Sequence, residues 1–287
     1  MLGIDIPLSR FGLSIALNGI GVLLAFLKKH LKFPIGTLAA FLVGFILFIF
    51  NSFTWLLLVA FFISSSLLTK FRAHLKLEVR DKFEKSGQRD AAQVLANSLP
   101  PVFFVILLAY FSITDPLSPL FITIVTYFAA VNADTFSTEI GILAIPLPRW
   151  ILDPRQKVEK GTSGGVTLLG SIAGALGSLE IAFLYIIGVY LVTSSSRSPF
   201  DIGIAIGSVF LGGVLGNIID SLLGGSFQGF YFCPICQIGT EKRIHLKCGR
   251  TKTRLVRGWE AISNDWVNLL SASIASLITG VVYSYLI

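Results

Sequence analysis

The sequence predicts an all-α protein, a polytopic transmembrane helical bundle of about eight spans with both termini outside. Three observations predict it. Only 14% of the 287 residues are charged and 54% are hydrophobic, whereas a soluble domain carries about 25% charged residues. Mean hydropathy is +0.79. Apolar runs of span length recur along the whole chain, and the basic residues gather in every second linker.

The runs lie near residues 11–27, 35–50, 53–68, 94–110, 117–131, 166–192, 202–223 and 266–287. A span needs about 20 residues, so the long stretch from 35 to 68 is divided at Asn51 and Ser52. No basic run and no small-residue cleavage site accompany the first segment. It reads as a retained span rather than a signal peptide. Residues 1–287 then form one membrane domain. A polar loop, 225–262, is inserted between the last two spans.

Of the 23 lysines and arginines, 21 fall in four linkers: 28–34, 69–92, 145–163 and 225–262. Only Arg10 and Arg197 fall on the other side. That is the positive-inside pattern, and it puts the four linkers in the cytosol. The pI near 9.4 follows from topology, so the expected partner is the bilayer and not nucleic acid.

Polar groups at membrane depth are costly and need a reason. Four clusters stand at the cytosolic ends of their spans. Entering the fourth span, Arg89, Gln93 and Asn97 are spaced i, i+4, i+8 and form a polar row on one helix face. Pro100 and Pro101 follow and bend that helix. An interfacial helix cap is the structural alternative. Ending the fifth span is Asn132-Ala133-Asp134-Thr135-Phe136-Ser137-Thr138-Glu139. Its two carboxylates lie on different faces of an ideal helix. They converge on one metal only if the helix breaks; otherwise Glu139 faces a neighbouring span.

Before the sixth span stands Lys160-Gly161-Thr162-Ser163-Gly164-Gly165. Glycine backbone and a following helix N-terminus suit a phosphate. The other possibility is a tight turn with Thr162 or Ser163 as N-cap. The fourth cluster joins Asp220 and Ser221 to Asp265 and Asn268 of the last span. Gly212, Gly216, Asp220 and Gly224 form an i+4 row, which turns Asp220 inward by close packing. Carboxylates and amides on several helices beside a Gly-Lys loop suggest a Mg²⁺–phosphate site, with Asp134, Asp220 and Asp265 as ligands and Lys160 and Arg89 as phosphate cations. Glu180, mid-span, reads as a hydrogen-bonded interior acid or a transport residue.

In the polar loop, Cys233-Pro234-Ile235-Cys236, His245 and Cys248 match a structural Zn²⁺ set. Another metal, a redox role or unliganded thiols are the alternatives.

These motifs together resemble one integral membrane family that includes phytyl-phosphate kinase, over nearly the whole chain. The quoted segments are N-A-D-T-F-S-T-E-I-G, K-G-T-S-G-G-V-T, D-S-L-L-G-G-S-F-Q, C-P-I-C…H-L-K-C and N-D-W-V-N-L-L-S. More distantly the chain is similar to CTP-dependent polyprenol kinases and phosphatidate cytidylyltransferases, whose Lys-Thr-x-Glu-Gly loop is here Lys-Gly-Thr-Ser-Gly-Gly, without the Glu. The resemblance implies phosphoryl transfer from a nucleoside triphosphate, typically CTP, to a prenyl monophosphate such as phytyl phosphate. It carries Asp134, Glu139, Lys160, Gly161, Gly164, Gly165, Asp220, Asp265 and Asn268 over as site positions. The expected site is therefore Asp134, Lys160 and Asp220 at the reacting phosphates. Arg89, Asn97, Asn132, Thr135, Ser137, Glu139, Gly161, Thr162, Gly164, Gly165, Ser221 and Asn268 bind substrate or nucleotide. A CTP-dependent prenol kinase, a cytidylyltransferase, and a transporter or flippase are the alternatives.

Overall fold

The computed structural model describes residues 7–80, 82–83, 87–192 and 198–287; Arg197 lies outside them. Ten helices are present among these residues: α1 (Leu8–Leu27), α2 (Ile35–Phe50), α3 (Ser52–Lys70), α4 (Leu77–Arg80), α5 (Ala91–Ala96), α6 (Leu99–Tyr110), α7 (Pro119–Gly141), α8 (Leu168–Val192), α9 (Pro199–Ser226) and α10 (Asn264–Ser284). By length and composition, α1, α3, α7, α8, α9 and α10 can each cross a membrane, and α2 and α6 are shorter apolar helices. The polytopic helical class is therefore as expected, with six long spans and two shorter apolar helices.

Asn51 divides the 35–68 stretch, as expected. It leaves the helix in an extended conformation, and its side chain accepts from Thr54 N at 3.0 Å. The fourth run differs from expectation. Asp90 starts α5 with a capping box to Gln93, and the chain breaks at Asn97–Ser98 before α6. Pro100 and Pro101 sit in the first turn of α6. There a missing N–H costs nothing, so the prolines start a helix instead of bending one.

The core is built around α7. Every residue from Phe121 to Ala133 is buried, because α3, α6, α8, α9 and α10 all pack against it. Small residues allow the approach. A Cβ at Gly216 of α9 would stand 2.4 Å from the Ala130 Cβ of α7, so only glycine fits. Gly216→Val should cost about 1–3 kcal/mol or more by forcing the helices apart. Gly203→Ala, on the same helix with open space around it, should leave the protein unchanged. Thermal unfolding in detergent compares the two.

The basic linkers meet at one end of the bundle. Lys32 N donates to Arg89 O at 2.9 Å and Arg89 N to His30 O at 2.8 Å. Glu241 N donates to Lys82 O at 2.8 Å, and Lys82 pairs with Glu159 at 2.6 Å. Arg257 donates to Ser163 O at 2.8 Å. Four linkers from different parts of the sequence are thus one hydrogen-bonded layer. Arg10 lies apart from it, with its guanidinium on Phe48 O and Ser52 Oγ at the α2–α3 turn.

Two of these linkers contain strands that an all-α reading does not anticipate. In the first, β1 (Arg149–Trp150), β2 (Asp153–Lys157) and β3 (Gly165–Val166) pair in the order β2-β1-β3. In the second, β4 (Phe230–Cys233) lies between β5 (Ile238–Thr240) and β8 (Arg254–Arg257), while β6 (Ile244–His245) pairs with β7 (Thr251–Lys252). Strands of two to five residues leave no periodicity to read.

Candidate active site

A polar cavity of about 270 Å³ opens at the end where the linkers meet. The C-terminal turns of α7 contribute Asp134, Thr135, Ser137 and Glu139. The 160–167 loop contributes Lys160, Gly161, Thr162, Gly164 and Gly165. Asp220 and Ser221 come from α9, Asp265 and Asn268 from α10, and Arg89 and Asn97 from the layer around α5. All of these were expected from sequence. Asn132 is the exception: it lies beneath the cavity, fully buried, and donates to Gly177 O at 2.8 Å and Glu180 Oε2 at 2.9 Å. Glu180 is thereby hydrogen-bonded to α7, and it is half-buried.

Helix α7 runs unbroken through its acidic cluster, so at 100° per residue Asp134 and Glu139 point to different walls. Glu139 faces α3, accepting from Thr69 Oγ1 at 2.7 Å and pairing with fully buried Lys76 at 2.6 Å. Asp134 faces α9, where its carboxyl lies against that of Asp220. Ser271 Oγ donates to Asp220 Oδ2 at 3.1 Å. With its nitrogen turned inward, the Asn268 amide donates to the same oxygen at 3.2 Å.

Two abutting carboxylates repel unless a proton or a cation lies between them. Among the described residues no lysine or arginine forms an ion pair with either. The surrounding donors are oxygens of carboxylate, amide and hydroxyl groups, the set Mg²⁺ takes. By their chemistry these residues would suit a divalent cation, with Asp134 and Asp220 to hold it.

The loop at 160–167 is held from three sides. Gly164 has φ +80°, and a Cβ there would lie 2.4 Å from Gly225 Cα, so the loop backbone rests on the last turn of α9. Arg257, stacked over Trp150 and Phe230, grips the Ser163 carbonyl. Ser163 Oγ donates to buried Glu241 at 2.8 Å. The N-cap of α8 is neither Thr162 nor Ser163: Gly170 N donates to Thr167 Oγ1 at 3.0 Å, which leaves Thr162 on the cavity wall. Across the cavity Arg89 donates to Ser65 Oγ at 2.8 Å and Ser66 Oγ at 3.2 Å, over the Phe62 ring. Burial lowers its guanidinium to about 10, with nearby Glu139 opposing the shift, so it stays cationic at neutral pH.

Beside this site, Cys233, Cys236, His245 and Cys248 bring their ligand atoms within 4.8 Å of one another.

The family model described as integral membrane protein DUF92 matches residues 16–276. The chain belongs to the DUF92 family. It is 28% identical to Protein PGR of Arabidopsis thaliana over 98% of both chains. It is 37% identical to Uncharacterized membrane protein MJ0933 of Methanocaldococcus jannaschii, over 67% of this chain and 73% of that one. Protein VTE6, chloroplastic, of Arabidopsis thaliana is 25% identical over 85% of this chain and 62% of its own length. No solved structure matches.

In this DUF92 chain the cavity also takes in groups that sequence reasoning missed. Asn217 stands one turn before Asp220 on α9, a position the i+4 glycine row could have exposed. His30, Ser66, Thr69 and Glu241 also line the cavity; they sit in linkers or span ends, where only tertiary contacts assign them.

Proposed function

We propose that this protein is a membrane-embedded phosphotransferase that moves the γ-phosphoryl group of a nucleoside triphosphate, CTP in the preferred reading, to a prenyl monophosphate such as phytyl phosphate. The site then lies at the cytosolic face. The single observation that carries the reading is the meeting of the Asp134–Asp220 pair with the Lys160 loop in one cavity. Support for the substrate class comes from the family likeness to phytyl-phosphate kinase.

An oxygen of the prenyl phosphate attacks the γ-phosphorus, the bond to the β-phosphate oxygen breaks, and prenyl diphosphate and CDP leave. The acceptor is already an anion, so no strong base is needed; the work is positioning and charge neutralisation. Asp134 and Asp220, with Asp265, would hold Mg²⁺, which supplies charge neutralisation to the phosphates when bound. Lys160 and the N–H groups of Gly161 and Gly164 bind the nucleotide phosphates, and Arg89 anchors the acceptor phosphate; Gly165 shapes the loop instead, its N–H being given to Thr162 O at 2.9 Å. Thr135, Ser137, Thr162, Ser221, Asn97 and Asn268 supply orienting hydrogen bonds. The prenyl tail stays among the apolar helices.

Purified protein with Mg²⁺, labelled CTP and a panel of prenyl alcohols and monophosphates should yield CDP and a prenyl diphosphate. Release of pyrophosphate with a CDP-prenyl product would make it a cytidylyltransferase, and uptake in proteoliposomes without nucleotide would make it a transporter. Lys160→Met should lower turnover on the order of 10²-fold, with an unchanged elution profile in detergent.

A further inference from the structure

The Cys/His cluster lies outside the phosphate chemistry but is mechanically joined to it. Cys233 ends β4, Cys236 is in the turn between β4 and β5, His245 ends β6, and Cys248 follows on the next turn. The two hairpins share no strand pairing with each other among the described residues. Their common ground is the space between the three sulfurs and the imidazole.

His245 is buried. Its Nδ1 faces Cys236 Sγ at 3.3 Å, and its Nε2 has no hydrogen-bond partner. A buried imidazole serving as an ordinary polar core residue finds an oxygen partner. This one instead completes a set of four soft donors converging on one point. Three thiolates and one nitrogen make a closed tetrahedral set, the composition of structural zinc sites, with no position left open for water. The proposed phosphoryl transfer has no use for such a site.

Its position ties it to the Gly-Lys loop. From Cys233, β4 pairs with β5, which ends at Thr240; the next residue, Glu241, accepts from Ser163 Oγ at 2.8 Å. On its other edge β4 pairs with β8, whose Arg257 donates to the Ser163 carbonyl at 2.8 Å. Both strands flanking Cys233 thus end on the same residue of the Gly-Lys loop. We propose that Cys233, Cys236, His245 and Cys248 bind one Zn²⁺ as a structural clasp that fixes β4, β5 and β8, and through Glu241 and Arg257 holds the 160–165 loop in place. Glu241 and Arg257 are positioning residues in this scheme.

The test uses the full-length chain in detergent, and its readouts do not depend on catalysis. Metal analysis should find about one Zn²⁺ per chain. Exchange with Co²⁺ should give the intense visible absorption of a tetrahedral thiolate site. Cys236→Ser, at an exposed side chain, should lose the metal, and the wild type measured in parallel guards against a folding defect in the variant. Stripping zinc should raise deuterium uptake across 158–166 and 238–245 while α7 stays protected. Less than about a tenth of an equivalent of metal with all thiols free to alkylate overturns the site, and so does a Cys233–Cys236 disulfide. Unchanged uptake at 158–166 after zinc removal overturns the clasp. None of these results bears on whether CTP is the donor, so this inference and the kinase reading fail separately.

Discussion

Asp220→Asn is expected to cut the proposed phosphoryl transfer by on the order of 10³-fold while leaving the metal-free protein as stable as the wild type or more so. Both signs come from one contact. Asp220 and Asp134 press their carboxyl groups together between α9 and α7, and without a cation that contact is repulsive unless a proton is bound between them. Asparagine keeps the volume, and its carbonyl can still accept from Ser271 Oγ, now at 3.1 Å from Asp220. The variant therefore removes the repulsion and the cation-binding charge in one step, a trade of function for stability. Added Mg²⁺ should raise the unfolding temperature of the wild type and leave that of the variant in place, because a ligand stabilises only the state it binds. Full turnover in the Asp134→Ala, Asp220→Ala double variant would sink the site.

Glu139→Gln should instead act on stability, by about 3 kcal/mol or more. Lys76 has no solvent-exposed side-chain surface, and its ammonium lies 2.6 Å from Glu139 and 2.7 Å from Leu68 O. Neutralising the acid leaves that buried cation without its nearest charge. Lys76→Met alone should also destabilise, by removing the cation that lies 2.6 Å from the Glu139 carboxylate. The double variant should recover much of the loss, because an ion pair replaced by neutral groups no longer bears an unpaired charge. A double-variant cycle in thermal unfolding measures the coupling. Equal, additive losses would assign Glu139 to the ligand side of the cavity.

The spans were legible because hydropathy is a local property. Asn51, a side chain able to cap α3, marked a boundary inside a 34-residue apolar stretch (residues 35–68). The end of α7 was not legible in the same way. Its apolar run stops near residue 131, yet the helix continues to Gly141, since walls of α3, α8 and α9 satisfy the polar side chains that would otherwise end it. Helical geometry still separated Asp134 from Glu139 correctly and turned Glu139 to a neighbour. Which neighbour was beyond reach, because Lys76 lies in a linker whose lysines had been counted only for their charge. Arg89 lies in the cavity with Gln93 and Asn97, but as the residue before a capped turn and not as part of one helix row. The short strands were invisible for want of length. Asn132 belonged by sequence to the densest cluster; one turn of helix separates it from the cavity and gives it to Glu180.

The burial of α7 also bears on how the protein is made. Of the six long spans it is the least apolar, with a mean hydropathy of 1.3 over its most apolar 18 residues, and the most enclosed, with 72% of that stretch buried. A nascent segment of this composition gains less from entering lipid alone than its more apolar neighbours do. The two spans synthesised after it, α8 and α9, have mean hydropathies of 1.9 and 2.0 and form two of its walls. With α8 and α9 deleted, α7 is therefore expected to insert less completely than it does in the full chain, which glycosylation mapping of the truncated protein would measure.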